Sequence, residues 1–446
     1  MFYVARWAIV ACLYFFVSTV MVQLHAKPSF VEYAANTELQ HVAVSPSGNR
    51  LVFRENKNSK DLIRVIDLVA RKTLAAFDVS DVNPKHIYFI DEDKIIIKAS
   101  GEKRKVSGFR DKFAVSSAFV YSVSTNKFRQ LLTPGEVIYR GQTGLGNIVA
   151  VTEDKNYAYI PAFVQESNRF ATRPPEYMLM KVSLGTDNAR PTIATKGVKN
   201  AIDYFVGQDG EIIAVESYNP RSHSYRIRAR DGHKWREIYF DDSEIREFGI
   251  SGITADRKHL VLVKEDEDTG FESVYKMSLA DGKISDKLFS HEQKDIDYLL
   301  TDINRVVHGV RYSGFTPTYE FFDSTLTERI ADIQSLFKGE SVFLTSRSPD
   351  WRHLIVNVTG SAFSGDFFKI SGQQAPIFIG AQRPTFNSET LHPIIATSYK
   401  ARDGMKIPLL VTAPRHKQSE LQNLPAIMLP HGGPESHDKV AFDWLA

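Results

Sequence analysis

The turn His431-Gly432-Gly433-Pro434, near the end of the 446-residue chain, has the residue types that could do chemistry. The run PAIMLP before it is predicted to be a buried strand, and the residues after it are predicted to begin a helix. Glycines between a strand and a helix expose backbone N–H groups, because they carry no Cβ to block a ligand. Such donors stabilise the negative oxygen that develops during acyl transfer. A plain strand-to-helix turn would use the same residues, so the turn alone leaves both interpretations open.

Many short strands are predicted before this turn. Between residues 40 and 380, apolar or alternating runs of strand length recur between turn residues, and no long helical period is evident. The first unit, HVAVSPSGNRLVFRENKNSKDLIRVIDLVARKTLAAF, holds four such runs. Its first turn, Ser45-Pro46-Ser47-Gly48, suits a tight hairpin, because proline presets φ and glycine accepts a positive φ.

Similar hairpins begin seven times along the chain, at intervals of roughly 45 to 60 residues. A repeated four-stranded unit of this size is typical of a β-propeller, in which radially packed blades cover each other's faces. The sequence therefore predicts a mainly β protein, with a seven-bladed β-propeller and a short lead-in over residues 27–385. A β-sandwich followed by unrelated β-structure is the alternative, and the recurrence of the hairpin disfavours it.

The composition changes after residue 380, where AQRPTFNSETLHP forms a polar linker. Two predicted strands follow, and Asp403-Gly404 between them is a strong hairpin signal. Over residues 393–446, the run SYKARDGMKIPLLVTAPRHKQSELQNLPAIMLPHGGPESHDKVAFDW resembles the opening of the hydrolase domain in the prolyl oligopeptidase family of serine peptidases. The likeness is greatest to its bacterial acylaminoacyl-peptidase and dipeptidyl-peptidase branch. His437-Asp438 departs from the family, which commonly has Arg-Asp there.

This resemblance implies a fold, a substrate class and a role for the glycine turn. It implies that residues 386–446 are the first part of an α/β-hydrolase domain, and that a backbone N–H of Gly432 or Gly433 is an oxyanion-hole donor. Family members hydrolyse oligopeptides, and their propeller keeps folded proteins away from the active site. The resemblance implies no metal and no cofactor.

The nucleophile of that family sits in a Gly-x-Ser-x-Gly elbow, and the 446 residues contain none. GSAFSG at 360–365 and GISG at 249–252 have the wrong spacing. We therefore expect the Ser, Asp and His of the triad to lie beyond Ala446, and the chain to be a truncated N-terminal portion that is inactive alone. Two alternatives remain open: a secreted propeller binding module with a vestigial hydrolase tail, and complementation by a separate hydrolase chain.

The first 26 residues have the features of a secretory signal peptide. One cation in MFYVAR precedes the apolar run WAIVACLYFFVSTVMV, and QLHA offers a small residue for cleavage after Ala26. We expect a periplasmic or secreted protein; an uncleaved membrane anchor is the alternative. The single cysteine, Cys12, lies in the apolar run, so cleavage would leave a chain without thiol or disulfide chemistry.

Charged residues elsewhere favour no other function class. The net charge is +2 and the basic residues are dispersed, which disfavours nucleic-acid binding. Arg221, Arg226 and Arg228 alternate as exposed strand positions do, although they could also face a peptide carboxylate at the mouth of a propeller. His259 and His353 follow predicted hairpin turns and lack metal-ligand spacing.

Overall fold

Seven sheets, here called blades 1 to 7, follow one another along the computed structural model, and all are antiparallel apart from one short parallel pair in blade 2. It describes residues 27–103, 112–135, 137–165, 174–185, 189–195, 198–433 and 436–446. The predicted signal peptide, with Cys12, lies outside these residues. Within the described residues, no helix combines the length and the apolar character needed to span a membrane.

Blades 1 to 4 occupy the first half of the ring. Blade 1 contains β1 (Leu39–Val44), β2 (Arg50–Lys57), β3 (Lys60–Asp67) and β4 (Lys72–Asp78). Blade 2 contains β5 (Asn83–Phe89), β6 (Lys94–Lys103), β7 (Phe113–Ser122), β8 (Lys127–Gln130) and β9 (Gly144–Leu145). Blade 3 contains β10 (Ala150–Val151), β11 (Tyr157–Val164), β12 (Glu176–Ser183) and β13 (Thr192–Ile193). Blade 4 contains β14 (Ala201–Val206), β15 (Ile212–Asn219), β16 (Ser224–Asp231) and β17 (Lys234–Asp241).

Blades 5 to 7 complete the ring. Blade 5 contains β18 (Gly249–Ile253), β19 (His259–Glu265) and β20 (Glu272–Ser278). Blade 6 contains β21 (Ile296–Thr301), β22 (Val307–Tyr312) and β23 (Thr318–Phe321), followed by helix α2 (Ser324–Ser335). Blade 7 contains β24 (Ser341–Arg347), β25 (His353–Thr359), β26 (Ser364–Ser371) and β27 (Ile377–Ala381).

Seven apolar clusters, one between each pair of successive blades, close the ring. Adjacent residues of a strand point to opposite faces, so Leu51 packs against blade 7 while Val52 packs against blade 2. Ile355 and Phe367 of blade 7 meet Leu51 in the cluster that joins the last blade to the first. Because both faces of a blade are covered, apolar runs replace simple alternation in its inner strands. The predicted seven-bladed β-propeller is confirmed.

The turn between the first two strands has the same geometry in six of the seven blades. In blade 5, the carboxylate of Asp256 accepts hydrogen bonds from the Thr254 hydroxyl at 2.5 Å and from the Lys258 N–H at 3.0 Å. The fourth residue of the turn has positive φ, as expected for Gly48, but non-glycine residues also occupy this position, at Lys155, Arg257, Arg305 and Trp351. The side-chain hydrogen bonds of Thr-x-Asp and Ser-x-Asp help hold the turn, so glycine is not required in every blade.

Helix α2 is a 12-residue exception to the expectation that residues 40 to 380 show no long helical period. Asp323 caps it, because its carboxylate accepts a hydrogen bond from the Thr325 N–H at 2.9 Å. Ile330 and Ile333 are buried in the cluster between blades 6 and 7. The sequence contains a pattern that predicts this helix: a capping aspartate followed by apolar residues three positions apart.

Two further elements lie outside the blades. Helix α1 (Phe30–Ala34) forms the lead-in, and β28 (Ile394–Lys400) pairs with β29 (Lys406–Thr412) after the linker. The predicted hairpin turn is confirmed: the Gly404 N–H donates to the Ala401 carbonyl at 2.9 Å, and Gly404 has φ of 88°. A short 3-10 helix, Arg415–Lys417, follows.

Candidate functional site

The glycine turn lies in the C-terminal segment, which comprises the described residues 425–433 and 436–446. The predicted strand at 425–430 is wrong, because this stretch has no regular structure and pairs with no described strand. Ile427 and Met428 are 88% and 82% exposed. The predicted helix is also not formed in residues 436–446. Strands need a neighbour for their hydrogen bonds, and without a covering sheet the apolar side chains have nothing to pack against.

The backbone of the glycine turn is accessible. A Cβ placed on Gly432 would meet no atom within 4 Å. Gly433 has φ of 125°, which L side chains rarely adopt, so glycine is needed at this position. Nδ1 of His431 lies 2.9 Å from the Gly432 carbonyl oxygen, a local contact within the turn. The oxyanion role of Gly432 and Gly433 stays a prediction, and Pro434 lies outside the described residues.

His437, where the sequence departs from the family pattern, joins the C-terminal segment to blade 6. Its Nε2 accepts a hydrogen bond from the Gly314 N–H at 3.2 Å. Burial and the nearby Lys439 lower the pKa of His437, which favours the neutral ring that can accept this bond. The Val440 N–H donates to the Phe315 carbonyl at 2.7 Å, and the Val440 side chain is buried.

An aromatic cluster fixes the end of the segment. The ring of Phe442 lies 4.9 Å from that of Phe386 in the linker, and Phe386 lies 4.6 Å from Tyr33 of α1. The guanidinium of Arg383 lies over the Phe442 ring and donates to the Ala35 carbonyl at 2.7 Å. The lead-in, the linker and the C-terminal segment therefore meet at one place.

The two faces of the propeller differ in what covers them. The C-terminal segment contacts the end of the blades where the second strand passes to the third, at Phe315 in the β22–β23 loop of blade 6 and at Thr359, the last residue of β25 in blade 7. The turns between the first and second strands lie at the other end of the same antiparallel strands, and so on the opposite face. We call this opposite face the turn face.

On the turn face, the blade 6 turn at 302–305 crosses the axis of the ring. The side-chain oxygen of Asn304 accepts a hydrogen bond from the Val151 N–H in blade 3 at 2.7 Å. Nη1 of Arg305 lies 2.7 Å from the carboxylate of Asp203 in blade 4. Blade 3 is three places from blade 6 in a ring of seven, so these bonds bridge the end of the axial channel.

Contacts within and around this turn hold it in place. The carboxylate of Asp302 accepts hydrogen bonds from the Asn304 N–H at 2.8 Å and the Val306 N–H at 3.0 Å. Burial acts to raise the pKa of Asp302, but His308 and the Val306 N–H outweigh it and hold the pKa below its usual value. The Arg305 guanidinium also lies 4.3 Å from the centre of the Phe205 ring.

The alternating arginines of blade 4 make contacts within their own sheet. Nε of Arg226 donates to the Glu237 carboxylate at 3.0 Å, and Nη1 of Arg228 donates to the Ser217 hydroxyl at 3.1 Å. These contacts agree with solvated strand positions for Arg226 and Arg228, whereas the strand position expected for Arg221 is wrong, because it lies in the turn at 220–223 before β16. Within the described residues, no group of three or more His, Cys, Asp or Glu side chains is placed to hold a metal ion.

The sequence matches no family model and no curated protein. Its fold is similar to that of a prolyl endopeptidase, with a TM-score of 0.53 and 12% identity over 86% of this chain and 56% of the other. Prolyl oligopeptidase B from Galerina marginata matches without ligand at a TM-score of 0.54, with 10% identity over 85% of this chain and 56% of the other. The same enzyme bound to a 25mer macrocyclization substrate matches at 0.52, with 11% identity and the same coverage.

The chain spans just over half the length of these solved structures. Each of the seven hairpins predicted from the sequence begins a blade in the structure of this chain. With identities of 10 to 12%, the similarity establishes the fold. The chain has the seven-bladed β-propeller fold of the prolyl oligopeptidase structures.

Proposed function

We propose that the chain is the propeller-bearing N-terminal portion of an exported serine peptidase of the prolyl oligopeptidase family, which hydrolyses short peptides. The propeller limits which molecules reach the active site. The fold and the HGGP-containing run at 393–446 both support this proposal. Export rests on the apolar N-terminal run and the small residue at Ala26, with a periplasmic or secreted destination.

The blade 6 turn is the observation that carries the access role. Asn304 and Arg305 bond to blades 3 and 4 across the axis, which narrows the opening between the blades on the turn face. A peptidase whose propeller is narrowed in this way would admit only flexible chains. Gly432 and Gly433 would supply backbone N–H donors to the oxyanion, which stabilise its developing charge. The serine, aspartate and histidine would come from sequence beyond Ala446.

The coding sequence after codon 446 tests the family assignment. We expect it to encode a Gly-x-Ser-x-Gly elbow with a later aspartate and histidine. If none of its reading frames encodes these residues, the peptidase proposal fails. The purified 446-residue chain is expected not to react with a fluorophosphonate probe, and stoichiometric labelling would reveal a nucleophile within it.

The access role can be tested on the complete peptidase that the first experiment would identify. The double substitution Asn304→Ala, Arg305→Ala removes the bonds across the axis. We expect cleavage of long substrates to rise relative to cleavage of a short chromogenic peptide. Arg352→Ala, which removes an exposed cation from the blade 7 turn, is the matched control. An unchanged substrate-length preference in the double variant would rule out this role for the turn.

A further inference from the structure

A cavity of about 770 Å³ opens on the turn face between blades 3, 4 and 5. Three turns form its walls: the β14–β15 turn with Glu211, the β16–β17 turn with His233, and the β18–β19 turn with Arg257 and Lys258. This volume lies in the range of small-molecule sites, roughly 300–1,000 Å³. The cavity lies apart from the glycine turn, which is in the C-terminal segment.

Three cations line the cavity with few opposing charges. Arg230, Arg257 and Lys258 have no carboxylate within 4.0 Å among the described residues, and Glu211 is the acidic residue in the lining. Nη1 of Arg257 donates to the Val206 carbonyl at 3.3 Å, which helps to position its guanidinium. The cavity therefore favours an anion.

Two of the carboxylates beside the cavity, those of Asp256 and Asp231, make contacts of their own. The Asp256 carboxylate accepts hydrogen bonds from Thr254 and from the Lys258 N–H. Asp231 lies 3.7 Å from Arg236, which is outside the lining. These contacts leave the cations of the cavity available to a ligand.

Apolar side chains complete the lining. The half-buried ring of Trp235 lies 5.0 Å from the Arg230 guanidinium, and Ile212 and Ile213 lie nearby in the lining. An indole beside a cation suits a ligand that has an apolar group next to its negative charge.

Two N–H groups of the β18–β19 turn are not free to bind a phosphate. Phosphate sites commonly present an array of N–H donors. Here the Lys258 N–H donates to Asp256 and the His259 N–H donates to the Thr254 hydroxyl, so neither is available. Side-chain cations with an apolar neighbour fit a carboxylate that carries a hydrophobic side chain.

We propose that this cavity binds the C-terminal residue of a peptide. The carboxylate would lie at Arg257 and Lys258, and the side chain would pack on Trp235. This site needs only the propeller, so it is independent of the peptidase proposal. In a peptidase, the cavity would hold a peptide substrate at the turn face. In a protein without peptidase activity, the same cavity would make the propeller a peptide-binding module.

The probe is N-acetyl-Ala-Ala-Phe, as the free acid and as the C-terminal amide, titrated calorimetrically into the purified chain. We expect the acid to bind about tenfold more tightly than the amide, because charge-assisted bonds are roughly twice as strong as neutral ones. Affinity should fall as salt rises. Equal affinity of acid and amide, or no binding of either, would overturn the proposal. Displacement of the peptide by equimolar inorganic phosphate would also overturn it in favour of a general anion site.

Matched variants locate the site. Arg257→Gln is expected to weaken acid binding about two- to fivefold, the usual effect of one exposed ion pair. Glu211→Gln is expected to strengthen it by a similar factor, because it removes a repelling charge. Lys234→Gln removes an exposed cation from the β16–β17 hairpin, beside Trp235 but outside the lining, and should leave affinity unchanged.

Two outcomes would contradict this location. An equal loss of affinity in Lys234→Gln and Arg257→Gln would indicate general attraction to the surface. An unchanged affinity in Trp235→Leu, with a normal circular dichroism melt, would exclude packing on the indole. The Trp235 variant should lose affinity for the Phe peptide and keep its preference for acid over amide.

Discussion

In blade 2, Ile95, Ile96 and Ile97 are at most 1% exposed, whereas Ile427 and Met428 of the C-terminal segment are 88% and 82% exposed. Both stretches are apolar and both are predicted to be strands. The first lies in β6, between β5 and β7, with a further blade against each face. The second has neither a paired strand nor a covering face among the described residues. An apolar run becomes a buried strand only where neighbours satisfy its backbone and cover its side chains.

Truncating a buried isoleucine should destabilise the protein far more than truncating an exposed one. Ile96→Ala removes side-chain atoms between blades 2 and 3 and is expected to cost about 3 kcal/mol of unfolding free energy. Ile427→Ala removes the same atoms from an exposed position and should change stability by less than about 0.5 kcal/mol. The midpoint and slope of urea unfolding measure both effects. Similar losses in the two variants would mean that the C-terminal segment is packed as tightly as blade 2.

His41, in β1 of blade 1, should make the folding stability of the propeller depend on pH. Burial, together with the positive Arg54 and His86, lowers the pKa of His41 to about 4. The unfolded chain, with a pKa near 6.5, binds more protons than the folded chain between these values. Stability should therefore fall as pH drops from 6.5 to 4, by about 2 kcal/mol for this partly buried ring. Urea unfolding of the wild type and of His41→Gln at several pH values measures this contribution. The free energy of unfolding should fall less with decreasing pH in the variant.

Asp366 should affect the pH dependence of folding stability in the opposite direction to His41. Burial raises its pKa to about 6, so the folded chain binds more protons than the unfolded chain between about pH 4 and 6. This group favours folding at the acid end of that window, and its contribution is lost as pH rises through the folded pKa. The free energy of unfolding of Asp366→Asn should therefore fall more steeply with decreasing pH than that of the wild type, whereas that of His41→Gln should fall less steeply. Shifts of the same sign in both variants would contradict these assignments.

Loss of the aromatic cluster should release the C-terminal segment and leave the blades intact. Phe442→Ala removes the ring that contacts Phe386 and Arg383, worth about 1 kcal/mol for an aromatic pair. Limited proteolysis should cleave the variant sooner near residues 436–446, while the urea midpoint of the propeller stays close to wild type. Trp444→Ala, an exposed change two residues away, is the control. Equal protection of both variants would show that other contacts hold the segment.

The smallest expected effect is at the exposed apolar stretch. Ile427→Ser with Met428→Ser should change the unfolding free energy by less than about 0.5 kcal/mol. It should also reduce binding of the dye ANS, because exposed apolar side chains bind such dyes. Unchanged dye binding would indicate that the two side chains are covered in solution.

The prediction of the blades succeeded because their signals are local. Ser45–Gly48 and Asp403-Gly404 each code a turn in a few residues, and the flanking apolar runs supply the strands. Helix α2 was missed, although the capping Asp323 and the spacing of Ile330 and Ile333 were present in the sequence. Among the many strands around it, that weak pattern did not stand out. The strand at 425–430 was predicted from composition alone, and composition cannot report whether a partner strand exists.

The sequence by itself determined the repeat, its seven hairpins, the turn at Gly404 and the likeness to a peptidase family. These depend on residues close together in the chain. Tertiary structure decided which groups meet: Asn304 with Val151, and Arg257 with a cavity that also contains Trp235. No local pattern specifies such pairs, because ring closure sets the distance between blades that are far apart in sequence. Tertiary structure also decided that the apolar run near residue 427 is exposed. A strand forms only where a neighbouring strand pairs with its backbone and another layer covers its side chains.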